Sequence, residues 1–119
     1  MPLVNLQIFG SGKCKETRKA ERFFKERRVF FQLIDIARKG PSAGELRKIA
    51  NAVGGVDKLI DREGKRYVDR GLKYAAPTGP RIEQILLDDP LLLRTPIVRA
   101  GDRATVGFAQ ETWLAWLNE

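Results

Sequence analysis

The start of the chain carries a strand pattern followed by a helix pattern. Residues 3–9 form a short apolar run with branched side chains that ends at glycines 10 and 12, which predicts a buried β-strand and a turn. Over residues 15–27 the apolar positions recur at helical spacing among charged residues, which predicts an amphipathic helix. These apolar positions are Ala20, Phe23 and Phe24. The chain is therefore expected to begin with a strand, a glycine-rich turn and a helix.

A second strand pattern follows this helix. Residues 29–36 are largely apolar at consecutive positions, as expected for a central parallel strand that is buried on both faces. A strand, a helix and a second strand in this order predict a right-handed βαβ unit with parallel strands.

The pattern from about residue 41 to residue 93 is mainly helical. Ser42 and Glu45 have the spacing of a capping box, so a helix is expected to begin there. The polar residues 61–73 predict one short helix or a turn-rich segment. Pro80 suits the first turn of a further helix. The buried positions of that helix are expected to be Ile82, Ile85, Leu86 and Leu87.

The last part of the chain predicts a hairpin and a final helix. Residues 97–99 and 104–106 flank a short turn with glycine and aspartate, which is typical of an antiparallel hairpin. Residues 110–117 carry Trp113 and Trp116 at helical spacing, and we expect both to pack in the core. The complete order predicts an α/β fold, a thioredoxin-like four-stranded mixed sheet with the order β-α-β, helical insertion, β-β-α.

The length of 119 residues, with 43% hydrophobic residues, suits a single thioredoxin-like domain over 1–119 with a helical insertion at about 41–93. The apolar runs are too short to cross a bilayer, and the N-terminus lacks the pattern of a secretory signal. We therefore expect a cytoplasmic protein without a membrane partner.

The formal net charge of +7 is concentrated between residues 13 and 28, where eight basic side chains face three glutamates. An anionic partner agrees with this charge. No aromatic-rich recognition motif or zinc-finger spacing accompanies it, so nucleic acid is not expected as a direct partner.

The chain has one cysteine, Cys14, and no histidine. Ser-His and Cys-His catalysis are therefore excluded, and no metal site is expected. An internal disulfide is impossible, so redox chemistry requires another molecule or oxidation of the thiol itself. At the start of a helix, the dipole, the backbone N–H groups, Lys13 and Lys15 favour a thiolate. The alternative is an inert, buried cysteine.

Several motifs, in order along the chain, resemble the arsenate reductase-like (ArsC/Spx) family. The first strand and its turn lead to Cys14-Lys15-Glu16-Thr17-Arg18, which resembles Cys-x-x-Ser/Thr-Arg. The block "DPLLLRTPIV" at residues 89–98 and "VGF" at residues 106–108 follow at matching distances. The resemblance spans nearly the whole chain and implies the same thioredoxin-like fold with a helical insertion.

This resemblance implies that Cys14 is a nucleophilic thiol at the N-terminus of the first helix, opposite Pro96, a proline that is usually cis in the family. Thr17 is placed to donate its hydroxyl to the thiolate. In reductases of the family the thiolate attacks arsenate. Glutathione then attacks this adduct, which releases the reduced species while the cysteine forms a mixed disulfide with glutathione. The resemblance thus implies a monothiol redox protein that works with glutathione or glutaredoxin and has no bound cofactor.

Arginines hold the oxyanion in these reductases, and the present chain matches them only in part. The arginine before the proline falls on Thr95, with Arg94 one place earlier, and an arginine of the last strand falls on Val106. A histidine four residues before the thiol falls on Gly10. These differences count against arsenate reduction. The candidate substrate-binding or anion-binding residues are Thr17, Arg18, Arg62, Arg94, Thr95 and Pro96.

The Spx branch of the family implies a different function. Its members are regulators that bind RNA polymerase, and several use Cys-x-x-Cys as a disulfide switch. Thr17 stands at the position of the second cysteine, so an internal switch is impossible here. The alternative hypothesis is therefore a non-catalytic regulator that binds RNA polymerase or another protein.

Overall fold

A four-stranded mixed β-sheet forms the centre of the computed structural model, which describes residues 5–119. The strands are β1 (Leu6–Gly10), β2 (Gln32–Asp35), β3 (Ile97–Ala100) and β4 (Arg103–Val106). Their order is β2-β1-β3-β4, with β1 parallel to β2, and with β1–β3 and β3–β4 antiparallel. This confirms the predicted fold class. Residues 3 and 4 of the predicted first strand lie outside the described residues.

Helices account for most of the described chain outside the sheet. They are α1 (Lys15–Glu26), α2 (Ala43–Val53), α3 (Lys65–Asp69), α4 (Leu72–Ala75), α5 (Gly79–Asp88) and α6 (Gln110–Leu117), with 3-10 turns at Val56–Lys58 and Pro90–Leu92. Helices α2 to α5 lie between β2 and β3, which confirms the predicted helical insertion. The polar stretch at 61–73 contains α3 and the start of α4, and Gly71, with φ of 67°, turns the chain between these two short helices.

The prediction that residues 29–36 form a strand buried on both faces is wrong. β2 lies at the edge of the sheet, and its four residues pair with β1 alone in the described part of the chain. Phe30, just before β2, is 96% exposed, and Leu33 is 47% exposed. A continuous apolar run fits an edge strand as well as a central one, because the run does not reveal which strands lie beside it.

The two faces of the sheet carry separate hydrophobic cores. Side chains of β1 alternate between them: Ile8 packs in the core that contains α1 and α6, and Phe9 packs in the core that contains α2 and α5. Trp113 and Trp116 of α6 are both buried, which confirms their predicted place in the core. Packing on both faces therefore holds β1 in place, and the end of β1 leads into the turn before α1.

Helix α2 begins as the sequence predicts. Ser42 Oγ accepts a hydrogen bond from the Glu45 N–H at 3.2 Å, and Glu45 Oε1 accepts one from the Ser42 N–H at 2.9 Å. The hydrogen bond from the Ser42 backbone lowers the pKa of Glu45 below its ordinary value. Gly54, with φ of 94°, ends the helix in the left-handed region.

Candidate thiol site

Cys14 is the N-cap residue of α1. Its backbone is extended (φ −91°, ψ 116°), and its N–H donates to the Ser11 carbonyl oxygen at 3.0 Å, which closes the turn just before the helix. The side chain is partly buried. An N-cap side chain lies beside the N–H groups of the first helical turn, which have no partner within the helix and stabilise negative charge. The local fold thus gives the thiol surroundings that favour a thiolate.

Thr95 and Pro96 lie beside this thiol, although they are far from it in the sequence. Cys14 Sγ lies 3.6 Å from the Thr95 carbonyl oxygen, to which the protonated thiol donates a weak hydrogen bond. The Thr95–Pro96 peptide bond is cis, and Pro96 is buried immediately before β3. The sheet therefore brings together three of the candidate site residues.

The pKa of Cys14 lies below the ordinary value of a cysteine. Partial burial is the largest single influence and raises the pKa, but the hydrogen bonds that the thiolate form can accept together outweigh it. They come from the side chains of Thr17 and Thr95 and from the backbone of Thr17 and Glu16. The sequence predicted a contribution from the neighbouring lysines, whereas the main causes in the structure are hydrogen bonds.

The hydroxyl of Thr17 is poised to stabilise the thiolate. The Thr17 side chain is 1% exposed, and its Oγ1 has no hydrogen-bond partner at normal distance among residues 5–119. A buried hydroxyl without a partner is unfavourable, and ionisation of Cys14 supplies the missing acceptor. This explains how Thr17 lowers the pKa of Cys14 without forming a regular hydrogen bond to the neutral thiol.

Thr17 occupies space that Gly10 leaves empty at the end of β1. A β-carbon added at Gly10 would lie 2.6 Å from Thr17 Oγ1, well inside van der Waals contact. The family resemblance places a histidine at this position, and its side chain would meet Thr17. The absence of a side chain at Gly10 therefore makes room for Thr17. As a result, the thiol has a hydroxyl group as its neighbour instead of an imidazole.

Arg18 bonds to its own loop. Its Nε and Nη2 donate to the Gly12 carbonyl oxygen at 3.1 and 2.6 Å, and the residue is exposed. The guanidinium therefore closes the turn that precedes Cys14. In this arrangement Arg18 supports the loop and is not directed to an anion beside the thiol.

Arg62 and Arg94 line one pocket of about 300 Å³. A β-bridge between Ile60 and Leu93 joins the two segments, and the Arg94 N–H donates to the Leu59 carbonyl oxygen at 2.7 Å. The structure thus brings together two candidate anion-binding residues that are distant in sequence.

The charge of this pocket is balanced. Lys58 adds a third cation, and its carbonyl oxygen accepts a hydrogen bond from Arg94 Nη1 at 3.5 Å. Three carboxylates line the same pocket, so little net attraction for an oxyanion results. They belong to Asp57, Asp61 and Glu63. Cys14 is not among the residues that line this pocket. The candidate residues therefore form a thiol group and a separate arginine pocket.

Gly10 and Lys58 belong to these sites without having been predicted from the sequence. A glycine at the end of a strand predicts a turn, and its second role appears only when Thr17 is seen against it. Lys58 follows Gly54 and Gly55 without any recognisable motif. Only the three-dimensional contacts reveal either residue.

Two kinds of feature are absent from the part of the chain that the structure describes. None of its helices is long and apolar enough to span a membrane. Within residues 5–119, no cluster of three or more His, Cys, Asp or Glu side chains is arranged to hold a metal ion.

The sheet, its helical insertion and the cysteine at the start of α1 define a thioredoxin-like protein with a single thiol. A sequence model of the ArsC family matches residues 9–116, and the chain belongs to this family. The resemblance found in the sequence motifs is thereby confirmed.

Individual relatives come from both branches of the family. The chain is 26% identical over 109 residues to the global transcriptional regulator Spx 2 of Oceanobacillus iheyensis, covering 91% of this chain and 80% of the relative. It is 26% identical over 107 residues to the arsenate reductase of Neisseria meningitidis serogroup A, covering 88% and 92%. The solved structure of the YFFB protein matches with a TM-score of 0.84 at 22% identity, over 95% of this chain and 99% of that chain, which shows a common fold.

Proposed function

We propose that this chain is a monothiol redox protein whose Cys14 forms a mixed disulfide with glutathione, which glutaredoxin or reduced glutathione then resolves. The observation that carries the proposal is the thiol at the N-cap of α1 beside the buried hydroxyl of Thr17, which has no other acceptor at normal distance in the described structure. The lowered pKa of Cys14 gives a larger thiolate fraction near neutral pH than an ordinary cysteine has.

The proposed reaction exchanges one disulfide for another. The Cys14 thiolate attacks one sulfur of glutathione disulfide, so that a bond from Cys14 to glutathione forms while the original disulfide breaks. The second glutathione leaves as a thiolate. A thiolate of glutaredoxin or of reduced glutathione then attacks the bound glutathione sulfur and releases Cys14. The chain has no second cysteine, so the resolving thiol must come from another molecule.

Alkylation with iodoacetamide tests the ionisation of Cys14. Only the thiolate reacts, so the rate rises with pH until the thiol is fully ionised. Because the pKa of Cys14 is lowered in the folded protein, we expect the inflection at a lower pH in the folded protein than in guanidinium chloride, where a cysteine titrates near its ordinary value of about 8.5. Thr17→Val removes the hydroxyl and should move the inflection upward in the folded protein only. An inflection at the unfolded value in folded wild-type protein would contradict the activated thiol.

Intact mass spectrometry tests the covalent step. After incubation with glutathione disulfide, we expect one glutathione on the wild-type chain and none on Cys14→Ser, because the chain has one thiol. Addition of glutaredoxin and reduced glutathione should remove the adduct faster than reduced glutathione alone. If no adduct forms although Cys14 alkylates readily, the coupling to glutathione is wrong and the activated thiol has another substrate.

Arsenate reduction is not part of the proposed function. One relative is named arsenate reductase, but Arg62 and Arg94 here line a charge-balanced pocket that Cys14 does not line. With arsenate, glutathione and glutaredoxin, we therefore expect wild-type protein to turn over no faster than Cys14→Ser. Arsenite production that depends on Cys14 would overturn this expectation.

A regulator that binds RNA polymerase or another protein is the second candidate function. The similarity to a relative named global transcriptional regulator Spx 2 favours it. In this case Cys14 is a sensor or a remnant, and binding does not require its thiol. Equal binding of purified RNA polymerase by wild type and Cys14→Ser, together with an unreactive Cys14, would favour this candidate over the first.

We also propose that residues 1–119 act as one domain in the cytoplasm, with 41–93 as its helical insertion. Leu46 and Ile82 of the insertion share a hydrophobic core with Phe9 and Ile97 of the sheet, which supports a single folding unit. Exchange with the glutathione pool suits a reducing compartment. One cooperative unfolding transition, seen at the same denaturant concentration by fluorescence and circular dichroism, is the expected result.

A further inference from the structure

The edge of the sheet at β2 carries an exposed surface that the thiol site does not include. We call it the β2 edge surface. It comprises a groove of about 540 Å³ between the end of α1 and β2, with apolar side chains in β2 and just before it, and basic side chains in α1 and just after it. Its lining includes Lys25, Arg28, Phe30, Phe31 and Leu33.

The apolar part of this surface is unusually open to solvent. Phe30 is 96% exposed and Leu33 is 47% exposed, and Phe31 between them is partly buried. Single exposed apolar residues are common, but a contiguous group with a charged rim is typical of an interaction site. Burial of these side chains against a partner removes apolar surface from water and therefore favours binding.

The backbone of β2 is also available to a partner. β2 pairs with β1 on one side, and no strand of residues 5–119 pairs with its other side. An edge strand presents N–H and C=O groups that an extended peptide can pair with, which is the recognition mode of strand addition. The outer edge of β2 thus offers directional hydrogen bonds next to exposed apolar side chains.

The charged side chains around the groove indicate the charge of the partner that it prefers. Neither Lys25 nor Arg28 takes part in an ion pair among residues 5–119, and Glu21 is the single acidic residue that lines the groove. The whole stretch from residue 13 to residue 28 is strongly basic. Unpaired cations beside an apolar groove favour a ligand that combines carboxylates with apolar side chains.

We propose that the β2 edge surface binds an extended, acidic segment of another protein, which adds a strand beside β2. Its apolar side chains would cover Phe30 and Leu33, and its carboxylates would face Lys25 and Arg28. This interaction does not use the thiol, and it goes beyond the proposed redox function.

A second copy of this chain fits the surface less well than an acidic partner. Each copy has a net charge of +7, and pairing of two β2 strands would bring two basic rims close together. Like charges at an interface oppose association. An acidic segment instead neutralises the rim and retains the same backbone pairing.

Selection from a library of short random peptides displayed on phage, with the full chain as bait, tests the proposal. We expect the selected peptides to alternate apolar residues with Asp or Glu, without proline at the centre.

Affinity measurements then test which residues of the surface bind the peptide. The best peptide, synthesised with a fluorescent label, is titrated with protein, and binding is followed by fluorescence anisotropy. Phe30→Ser combined with Leu33→Ser should weaken binding about tenfold or more, as loss of anchoring apolar residues does. Lys25→Glu combined with Arg28→Glu should also weaken it, and added salt should weaken binding to wild type.

Matched control variants distinguish the loss of this surface from general effects of a substitution on the protein. Tyr74→Ser removes another exposed aromatic side chain, and Lys48→Glu reverses a charge on α2, so both should leave the affinity unchanged. Cys14→Ser should also bind normally, so failure of the redox proposal does not affect this test. The proposal is overturned if the selection does not enrich acidic peptides, or if the edge variants bind them like wild type. A dimer seen by light scattering that Phe30→Ser dissociates would assign the surface to a second copy instead.

Discussion

Replacement of Trp113 by alanine is expected to lower the free energy of unfolding by about 3–5 kcal/mol, the range found for aromatic residues in protein cores. Trp113 is fully buried, and its ring lies 5.2–5.3 Å from the rings of Phe23, Phe24 and Phe108. Its indole N–H donates to Thr105 Oγ1 at 2.8 Å. The substitution thus removes contacts among α6, α1 and β4, and it leaves a cavity on one face of the sheet.

Urea unfolding followed by circular dichroism measures this effect without relying on the fluorescence of the residue removed. Tyr74→Ala is the control, because Tyr74 is 90% exposed and its loss should change stability by less than about 0.5 kcal/mol. Thr105→Val should cost about 1 kcal/mol, since it leaves the buried indole N–H without its acceptor. A loss of under about 1 kcal/mol for Trp113→Ala would show that α6 does not anchor this core.

Gly10→Ala is expected both to destabilise the protein by about 1–3 kcal/mol and to raise the pKa of Cys14. The new methyl group would overlap the buried, branched side chain of Thr17, which has few alternative rotamers in a helix. Displacement of Thr17 would move its hydroxyl away from the thiol. Because that hydroxyl helps to lower the pKa of Cys14, its displacement shifts alkylation to higher pH.

Gly12→Ala is the matched control for Gly10→Ala, since a β-carbon at Gly12 meets no heavy atom within 4 Å. It should leave both stability and the alkylation profile close to those of wild type. The double substitution Gly10→Ala with Thr17→Ala should recover part of the lost stability but not the lowered pKa. If Gly10→Ala raises the pKa without any loss of stability, steric overlap with Thr17 is not the cause.

The order of the elements could be predicted because each carries a local signal. The capping box of Ser42 and Glu45, the hairpin turn and the helical spacing of Trp113 and Trp116 all depend on residues close in sequence. The position of β2 depends instead on β3, which pairs with the other side of β1 and leaves β2 at the edge. No pattern within residues 29–36 contains that information.

The candidate site could be predicted only where it depends on the local chain. The glycine-rich turn before α1 indicated that Cys14 begins a helix, and the structure places it there. The arginines were different, because the positions of Arg62 and Arg94 follow from a bridge between segments far apart in sequence. The hydrogen bonds of Arg18 depend on where the Gly12 carbonyl oxygen lies, and residue types alone do not specify its position.

The bridge between Ile60 and Leu93 has a consequence for how this chain tolerates change. It joins the two ends of the segment 60–93, which contains α3, α4 and α5, so this segment forms a loop that is closed at a fixed point. Each doubling of a flexible loop costs only about 0.6 kcal/mol of closure entropy. An insertion at Gly71, where an added β-carbon would meet no heavy atom within 4 Å, should therefore leave the sheet and Cys14 in place, and this turn is a suitable position for a label or an added peptide. Deletions are expected to be tolerated less well, because Tyr67 and Leu72 on either side are buried in the core.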